Sequence, residues 1–85
     1  MLCLYVTTYC PYCHKVRARL DAAGIPYEVR NVQENSVWRE DVLALGGKMQ
    51  VPFLLDTERN VSLYESDDII AYADEHYAPK HDTTV

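Results

Sequence analysis

The alternation of short β-prone runs with helical patterns is the feature that most constrains the fold of this chain. Residues 2–6, Leu-Cys-Leu-Tyr-Val, are almost uniformly apolar, as expected of a strand buried on both faces. A helical pattern opens at Pro11 and stops at Gly24. Its apolar positions are Cys13, Val16, Leu20 and Ala23. Residues 27–32 then predict a second strand, parallel to the first with a right-handed crossover.

A second helix follows. Asn35 or Ser36 can cap its start, and Gly46 with Gly47 marks its end. The inward positions of this helix are predicted to be Trp38, Val42 and Leu45.

The remaining segments predict a hairpin and a third helix. Residues 51–55 and 61–64 form the hairpin strands, and Ser66 caps the helix. Its inward positions are Ile70, Ala73 and Tyr77. The order β-α-β-α-β-β-α predicts an α/β fold, with one mixed sheet covered by helices.

Length and charge limit the organisation and the partners. The 85 residues allow one small core, so we predict a domain over residues 1–78 and a polar tail over residues 79–85. The net charge of -5 argues against a nucleic-acid or anionic-membrane partner, because both call for a basic face. We expect a monomer.

Cysteine usage indicates the compartment. The 3 cysteines are an odd number and too few for the disulfide framework of a secreted mini-protein. Residues 1–8 are apolar, but they have no positively charged start and are too short for a signal-peptide core or a membrane span. These observations predict a reducing, cytoplasmic setting.

The pair Cys10 and Cys13 carries the predicted chemistry. Because a strand ends near Thr7 and Pro11 opens a helix, Cys10 is expected at the helix N-cap and Cys13 one turn inside. Unpaired N–H groups and the helix dipole favour the Cys10 thiolate, while Cys13 is more enclosed and keeps its proton. Only a thiolate attacks a disulfide, so Cys10 is predicted to be the nucleophile of a redox pair and Cys13 the resolving residue.

Two plainer interpretations of the pair are a zinc site and a structural disulfide. A zinc site needs two more ligands, and a structural disulfide is disfavoured in a reducing cell. The candidate ligands are Cys3, His14, His76 and His81. Their positions along the chain suit no compact site, so we favour redox use and expect no metal.

The sequence gives weaker support for a chemical role of the other side chains near the pair. Lys15 and Arg17 would add to thiolate stabilisation if they reach the sulfur. His14 is more typical of an exposed helix residue than of a general base. Cys3 is predicted to be a small buried apolar residue.

Several motifs occur in an order and at spacings that resemble glutaredoxins: Tyr5, the Cys10-Pro11-Tyr12-Cys13 tetrad, Gly24 and Val51-Pro52. The resemblance covers roughly residues 2–77 and implies a thioredoxin-like fold with a four-stranded mixed sheet and three helices. It implies that Pro52 is cis, lies against the cysteines and exposes the Val51 backbone to the cysteinyl part of glutathione. An ordinary trans proline opening a strand is the alternative.

The segment Tyr64-Glu65-Ser66-Asp67-Asp68 departs from the glutaredoxin form, which has two glycines before the capping residue. It is similar to the Glu-Ser pair of glutathione transferase N-terminal domains. That resemblance implies that Ser66 receives the γ-glutamyl carboxylate of glutathione and that Glu65 or Asp67 receives its ammonium. Simple helix capping by Ser66 is the alternative, and we favour both roles together.

Two departures bear on the preferred substrate. Many glutaredoxins carry a basic residue three positions before the first cysteine, where it meets the glycyl carboxylate, but this chain has Thr7. Arg39 or Lys48 could take its place. Gln50 replaces the threonine that commonly precedes Val-Pro.

The resemblance implies a glutathione-dependent thiol-disulfide oxidoreductase in electron transport and cell redox homeostasis. Glutathione is the expected reducing co-substrate, and disulfide-containing or glutathionylated proteins are the expected partners. Tyr12 would form an aromatic wall beside the sulfur, and Tyr9 could do the same.

Three rival functions stay open. The first is a redoxin reduced by thioredoxin reductase, but such proteins have a Trp-Ser-Gly-Phe-Arg-Pro stretch where this chain has Tyr64-Glu65-Ser66. The second is a glutathione and iron-sulfur cluster-binding module, which is commoner with one active-site cysteine. The third is a glutathione transferase fragment, disfavoured because the chain lacks a large helical domain.

Overall fold

The computed structural model describes residues 1–77 of the chain. The elements are β1 (Leu2–Val6), α1 (Pro11–Ala22), β2 (Tyr27–Asn31), α2 (Ser36–Gly46), β3 (Phe53–Asp56), β4 (Val61–Tyr64) and α3 (Ser66–Tyr77). This is the predicted order of strands and helices. The predicted tail over residues 79–85, with His81, lies outside the described residues.

The strands form a 4-stranded sheet in the order β2-β1-β3-β4. β1 pairs with β2 in parallel and with β3 antiparallel, and β4 pairs antiparallel with β3. The mixed sheet with three helices confirms the expected α/β, thioredoxin-like fold.

β1 lies at the centre of the molecule, and its two faces contact different helices. Leu2, Leu4 and Val6 belong to one buried cluster with residues of α1, β3 and α3. Cys3 and Tyr5 belong to a second cluster on the α2 side, which includes Val42. All five β1 residues are buried, which confirms a strand enclosed on both faces.

A buried carboxylate joins the β3–β4 turn to α3. Asp56 is 0% exposed and accepts hydrogen bonds from the hydroxyls of Tyr72 at 2.6 Å and Tyr77 at 2.7 Å. The Glu58 N–H and Arg59 guanidinium also donate to it. Burial alone would raise the pKa of the Asp56 carboxyl, but these hydrogen bonds outweigh it and hold the pKa well below its ordinary value. Burial and the bond to Asp56 raise the pKa of Tyr72 and of Tyr77 to about 12.

Three local predictions about these elements are wrong. β2 ends at Asn31 rather than at Val32. Leu45 is 46% exposed, because the cluster around Val42 includes Trp38 but does not reach the last turn of α2. β3 begins at Phe53 rather than Val51, since Pro52 has no N–H to donate to a strand ladder.

Of the two candidate caps for α2, Asn35 is the N-cap, and its side chain accepts from the Val37 N–H at 2.9 Å.

Candidate functional site

Cys10 lies at the junction of β1 and α1, at the helix N-cap. Its extended backbone, with φ -131° and ψ 102°, turns the chain into the helix that Pro11 opens. The Cys13 N–H donates to Cys10 Sγ at 3.1 Å. An N–H aimed at this sulfur and the positive end of the α1 dipole both stabilise negative charge on it.

Cys10 and Cys13 are joined in a disulfide, with their Cα atoms 5.1 Å apart. The two residues differ in access to solvent, since Cys10 is 8% exposed and Cys13 is 1% exposed. Cys13 is therefore the more enclosed of the two residues, as the sequence predicts.

A cleft of about 610 Å³ lies between the start of α1, the segment before β3 and the start of α3. It brings together all the predicted glutathione-binding residues and three others. The lining residues are Tyr12, Lys15, Gln50, Val51, Pro52, Glu65, Ser66, Asp67 and Asp68.

Val51 links this cleft to the disulfide. Its side chain packs against the buried cluster that contains Cys10 and Cys13, while the residue also lines the cleft. The Val51–Pro52 peptide is cis, as the resemblance implies. Tyr12, between the two cysteines, lines the opposite wall and is 64% exposed.

The start of α3 differs from the prediction by one residue. Glu65, with φ 72°, precedes the helix, and its carbonyl accepts from the Ile69 N–H at 2.9 Å. Ser66 is the first helical residue rather than the cap. It is 9% exposed, and its hydroxyl has no hydrogen-bond partner within residues 1–77. Since capping does not engage the hydroxyl, it can donate to a ligand in the cleft.

Three lining residues were missing from the predicted site. The Lys15 ammonium lies 2.7 Å from Asp67 Oδ1, and this hydrogen bond and charge lower the pKa of the Asp67 carboxyl. The Gln50 side-chain N–H donates to Glu65 Oε2 at 3.2 Å. The sequence suggests Lys15 only as a partner of the Cys10 sulfur. Its place on the α1 face toward α3 follows from packing that no local pattern reveals.

Tyr64 holds the loop that leads into the cleft. Its hydroxyl donates to the Lys48 carbonyl at 2.5 Å and accepts from the Lys48 N–H at 3.3 Å. The Lys48 ammonium lies 5.0 Å from the centroid of the Tyr64 ring. A Cβ on Gly46 would collide with the same ring, so glycine allows the end of α2 to approach β4.

Other singled-out residues lie away from this cleft. Neither Arg39 nor Lys48 lines it. Thr7, His14 and Arg17 line a second cleft of about 360 Å³. His14 Nε2 lies 3.3 Å from the Thr8 carbonyl oxygen.

Within residues 1–77 there is no group of three or more His, Cys, Asp or Glu residues suited to a metal ion. No helix in that range is long and apolar enough to cross a membrane.

Comparison with known proteins defines the family. The model of the glutathione S-transferase N-terminal domain matches residues 4–81, most of the chain. The chain belongs to this transferase domain family. The Glu65-Ser66 pair agrees with that membership, and the tetrad agrees with a relationship to glutaredoxins.

The relatives of this transferase-type domain include a stringent starvation protein homolog and a glutaredoxin. A stringent starvation protein A homolog of Haemophilus ducreyi is 38% identical over 66 residues, or 78% of this chain and 29% of that protein. Glutaredoxin 3 of Escherichia coli is 31% identical over 49 residues, or 58% of this chain and 59% of that protein. The chain thus spans less than two thirds of either relative.

A solved structure of a glutathione transferase homolog is also similar to this chain. A glutathione transferase homolog from Drosophila mojavensis, with bound glutathione, superposes with a TM-score of 0.77 at 25% identity. The match covers 93% of this chain and 36% of that one. The transferase-type domain therefore matches a part of a longer protein.

Proposed function

We propose that the chain is a glutathione-dependent thiol-disulfide oxidoreductase acting through Cys10 and Cys13. The observation that carries this proposal is the Cys10 sulfur at the N-cap of α1, bonded to Cys13 and receiving the Cys13 N–H at 3.1 Å. The homology to glutaredoxin 3 and the glutathione bound in a transferase homolog support the choice of substrate. We further propose a cytoplasmic location.

The reaction begins from the reduced pair. The Cys10 thiolate attacks the glutathione sulfur of a glutathionylated protein, a Cys10–glutathione disulfide forms, and the protein thiolate leaves and takes up a proton. A second glutathione thiolate then attacks the bound glutathione sulfur, which yields glutathione disulfide and returns the Cys10 thiolate. Alternatively, Cys13 attacks Cys10 Sγ and releases glutathione, and two further glutathione molecules reduce the internal disulfide.

We place the γ-glutamyl end of glutathione at the start of α3. The Ser66 hydroxyl and the first N–H groups of the helix bind its carboxylate, and Glu65 or Asp67 binds its ammonium. The Val51 backbone binds the cysteinyl part, beside Tyr12. This orientation brings the ligand sulfur toward Cys10.

Cysteine variants test the assignment. Cys10→Ser should abolish reduction of a glutathione mixed disulfide in a glutathione-coupled assay, because it removes the attacking thiolate. Cys13→Ser should retain that reaction, since a second glutathione resolves the intermediate. Cys3→Ala, which alters a buried residue on the other side of the sheet, is the control and should keep full activity.

Two results would contradict the assignment. One is equal loss in the Cys10→Ser and Cys13→Ser variants. The other is alkylation of Cys10, in the Cys13→Ser variant, with a midpoint near the ordinary thiol pKa of about 8.5.

Family membership favours a second candidate, glutathione conjugation of the transferase type. In that function the glutathione sulfur is the nucleophile, and Cys13 has no part in the reaction. A conjugation assay with chlorodinitrobenzene separates the candidates, since activity retained by the Cys10→Ser variant would favour conjugation. Comparing glutathione with thioredoxin reductase as electron source tests the redoxin alternative.

A further inference from the structure

The cleft is lined by more negative than positive side chains, so it is poorly suited to a ligand that carries two carboxylates. The lining has the carboxylates of Glu65, Asp67 and Asp68, and Lys15 is its one cation among residues 1–77. The Lys15 ammonium already lies 2.7 Å from Asp67. The lining therefore offers no unpaired cation to an incoming anion.

One position in the cleft is nevertheless suited to a carboxylate. Ser66 is 9% exposed and lines the cleft, and its hydroxyl has no protein partner in the described chain. This hydroxyl and the N–H groups in the first turn of α3 are donors suited to bind one anionic group. The neighbouring carboxylates of Glu65 and Asp67 suit an ammonium. Together these groups match the amino-acid end of a γ-glutamyl ligand.

Glutathione has a second carboxylate, at its glycyl end. Once the first carboxylate occupies the start of α3, the second is left near a lining with excess negative charge. Like charges within about a Debye length, roughly 8–10 Å at moderate salt, repel each other. The Lys48 ammonium lies over the Tyr64 ring and is not among the residues that line the cleft.

We propose that the cleft prefers glutathione derivatives whose glycyl carboxylate is neutral or replaced by a cationic group, such as an amide with a polyamine. The substrate class is thus a γ-glutamyl-cysteinyl thiol with an uncharged or positive C-terminal end. The inference rests on the proposed function, because it assumes that this cleft binds glutathione. It leaves the exchange chemistry at Cys10 unchanged.

Calorimetric titration of the oxidised chain tests the preference without thiol chemistry. The ligands are S-methylglutathione and its glycyl amide, thioethers that cannot exchange with the disulfide. We expect the amide to bind about three-fold more tightly. Raising the salt concentration should tighten binding of the parent ligand relative to the amide, since salt screens the repulsion.

A matched variant locates the effect in the cleft. Asp68 lines the cleft and is not one of the two residues proposed to bind the ammonium, so Asp68→Asn should tighten binding of S-methylglutathione by about three-fold. It should tighten binding of the amide by less, because the amide carries one carboxylate fewer. Glu40→Gln, on the exposed surface of α2, removes the same charge elsewhere and should change neither.

The outcomes separate this inference from the proposed function. Tighter binding of the parent than of the amide would overturn the inference alone, because it would reveal a cation that anchors the glycyl carboxylate. Absence of binding by both ligands would overturn the inference together with the glutathione dependence of the proposed function.

Discussion

At the start of α3, Ser66 is the first helical residue rather than the residue before the helix, and this shift of one position decides how its hydroxyl is used. A serine at the N-cap binds a backbone N–H of its own helix, whereas Ser66 is the first helical residue and its hydroxyl has no partner in the described chain. Glu65 occupies the preceding position with φ 72°, a backbone conformation that non-glycine residues seldom adopt. The side chain that the sequence predicts as both cap and ligand is therefore available for the ligand role.

Ser66→Ala should weaken glutathione binding and leave the fold intact. Loss of a hydrogen bond to a charged carboxylate should weaken binding about ten-fold, while the free energy of unfolding changes by less than about 0.5 kcal/mol. Titration calorimetry and urea unfolding measure the two quantities, with Ser62→Ala on the exposed side of β4 as the control. A stability loss of about 1 kcal/mol with unchanged binding would identify Ser66 as a structural cap instead.

At the scale of elements, local patterns predict the strands and helices well, because each has its own start and stop residues. The first residue of α1 is Pro11. The N-cap of α2 is Asn35, and its left-handed C-cap is Gly47. The position of the loop before β3 depends on contacts distant in sequence. Tyr64 contacts Lys48 and Gly46, and no periodicity links these positions.

Tyr64→Phe should loosen this loop and affect substrate binding more than chemistry. It removes the hydroxyl bonded to both backbone groups of Lys48, so the free energy of unfolding should fall by about 1 kcal/mol. Because the loop leads into Gln50 and Val51, the KM for the glutathione mixed disulfide should rise while kcat is unchanged.

The control for the loop variant is Tyr27→Phe. It removes a hydroxyl bond of 2.7 Å to Asp21, away from the cleft. A kcat loss in Tyr64→Phe, or an equal rise in KM in both variants, would contradict a positioning role for Tyr64.

At the scale of the whole molecule, the buried Asp56 joins the β3–β4 turn to the far part of α3. From the sequence, Asp56 lies at the end of an apolar run and predicts only a turn. Its partners Tyr72 and Tyr77 are 16 and 21 positions away, so only the tertiary packing of α3 on the sheet reveals them. The lowered pKa of Asp56 makes this junction sensitive to acid.

The stability of the fold should fall at acid pH through Asp56. Its folded pKa lies below the unfolded value of about 3.9, so its contribution is complete above that pH and is lost as the pH falls through the folded pKa. Asp56→Asn should cost about 3 kcal/mol at neutral pH and should lessen the loss below about pH 4. Urea unfolding across this range measures both effects.

Asp21→Asn provides the comparison for the acid prediction. Asp21 also accepts a tyrosine hydroxyl, but on the exposed surface, so its replacement should cost less than about 1 kcal/mol. Identical acid profiles for the wild-type chain and the Asp56→Asn variant would assign the acid sensitivity to other carboxylates.

The central sheet separates the third sulfur from the reactive pair. Cys3 is 1% exposed on the α2 side, and burial raises the pKa of its thiol. Cys10 and Cys13 lie in the cluster on the opposite side. The rate at which an alkylating reagent modifies Cys3 therefore measures how often the hydrophobic interior opens. This measurement is independent of thiol exchange at Cys10 and Cys13.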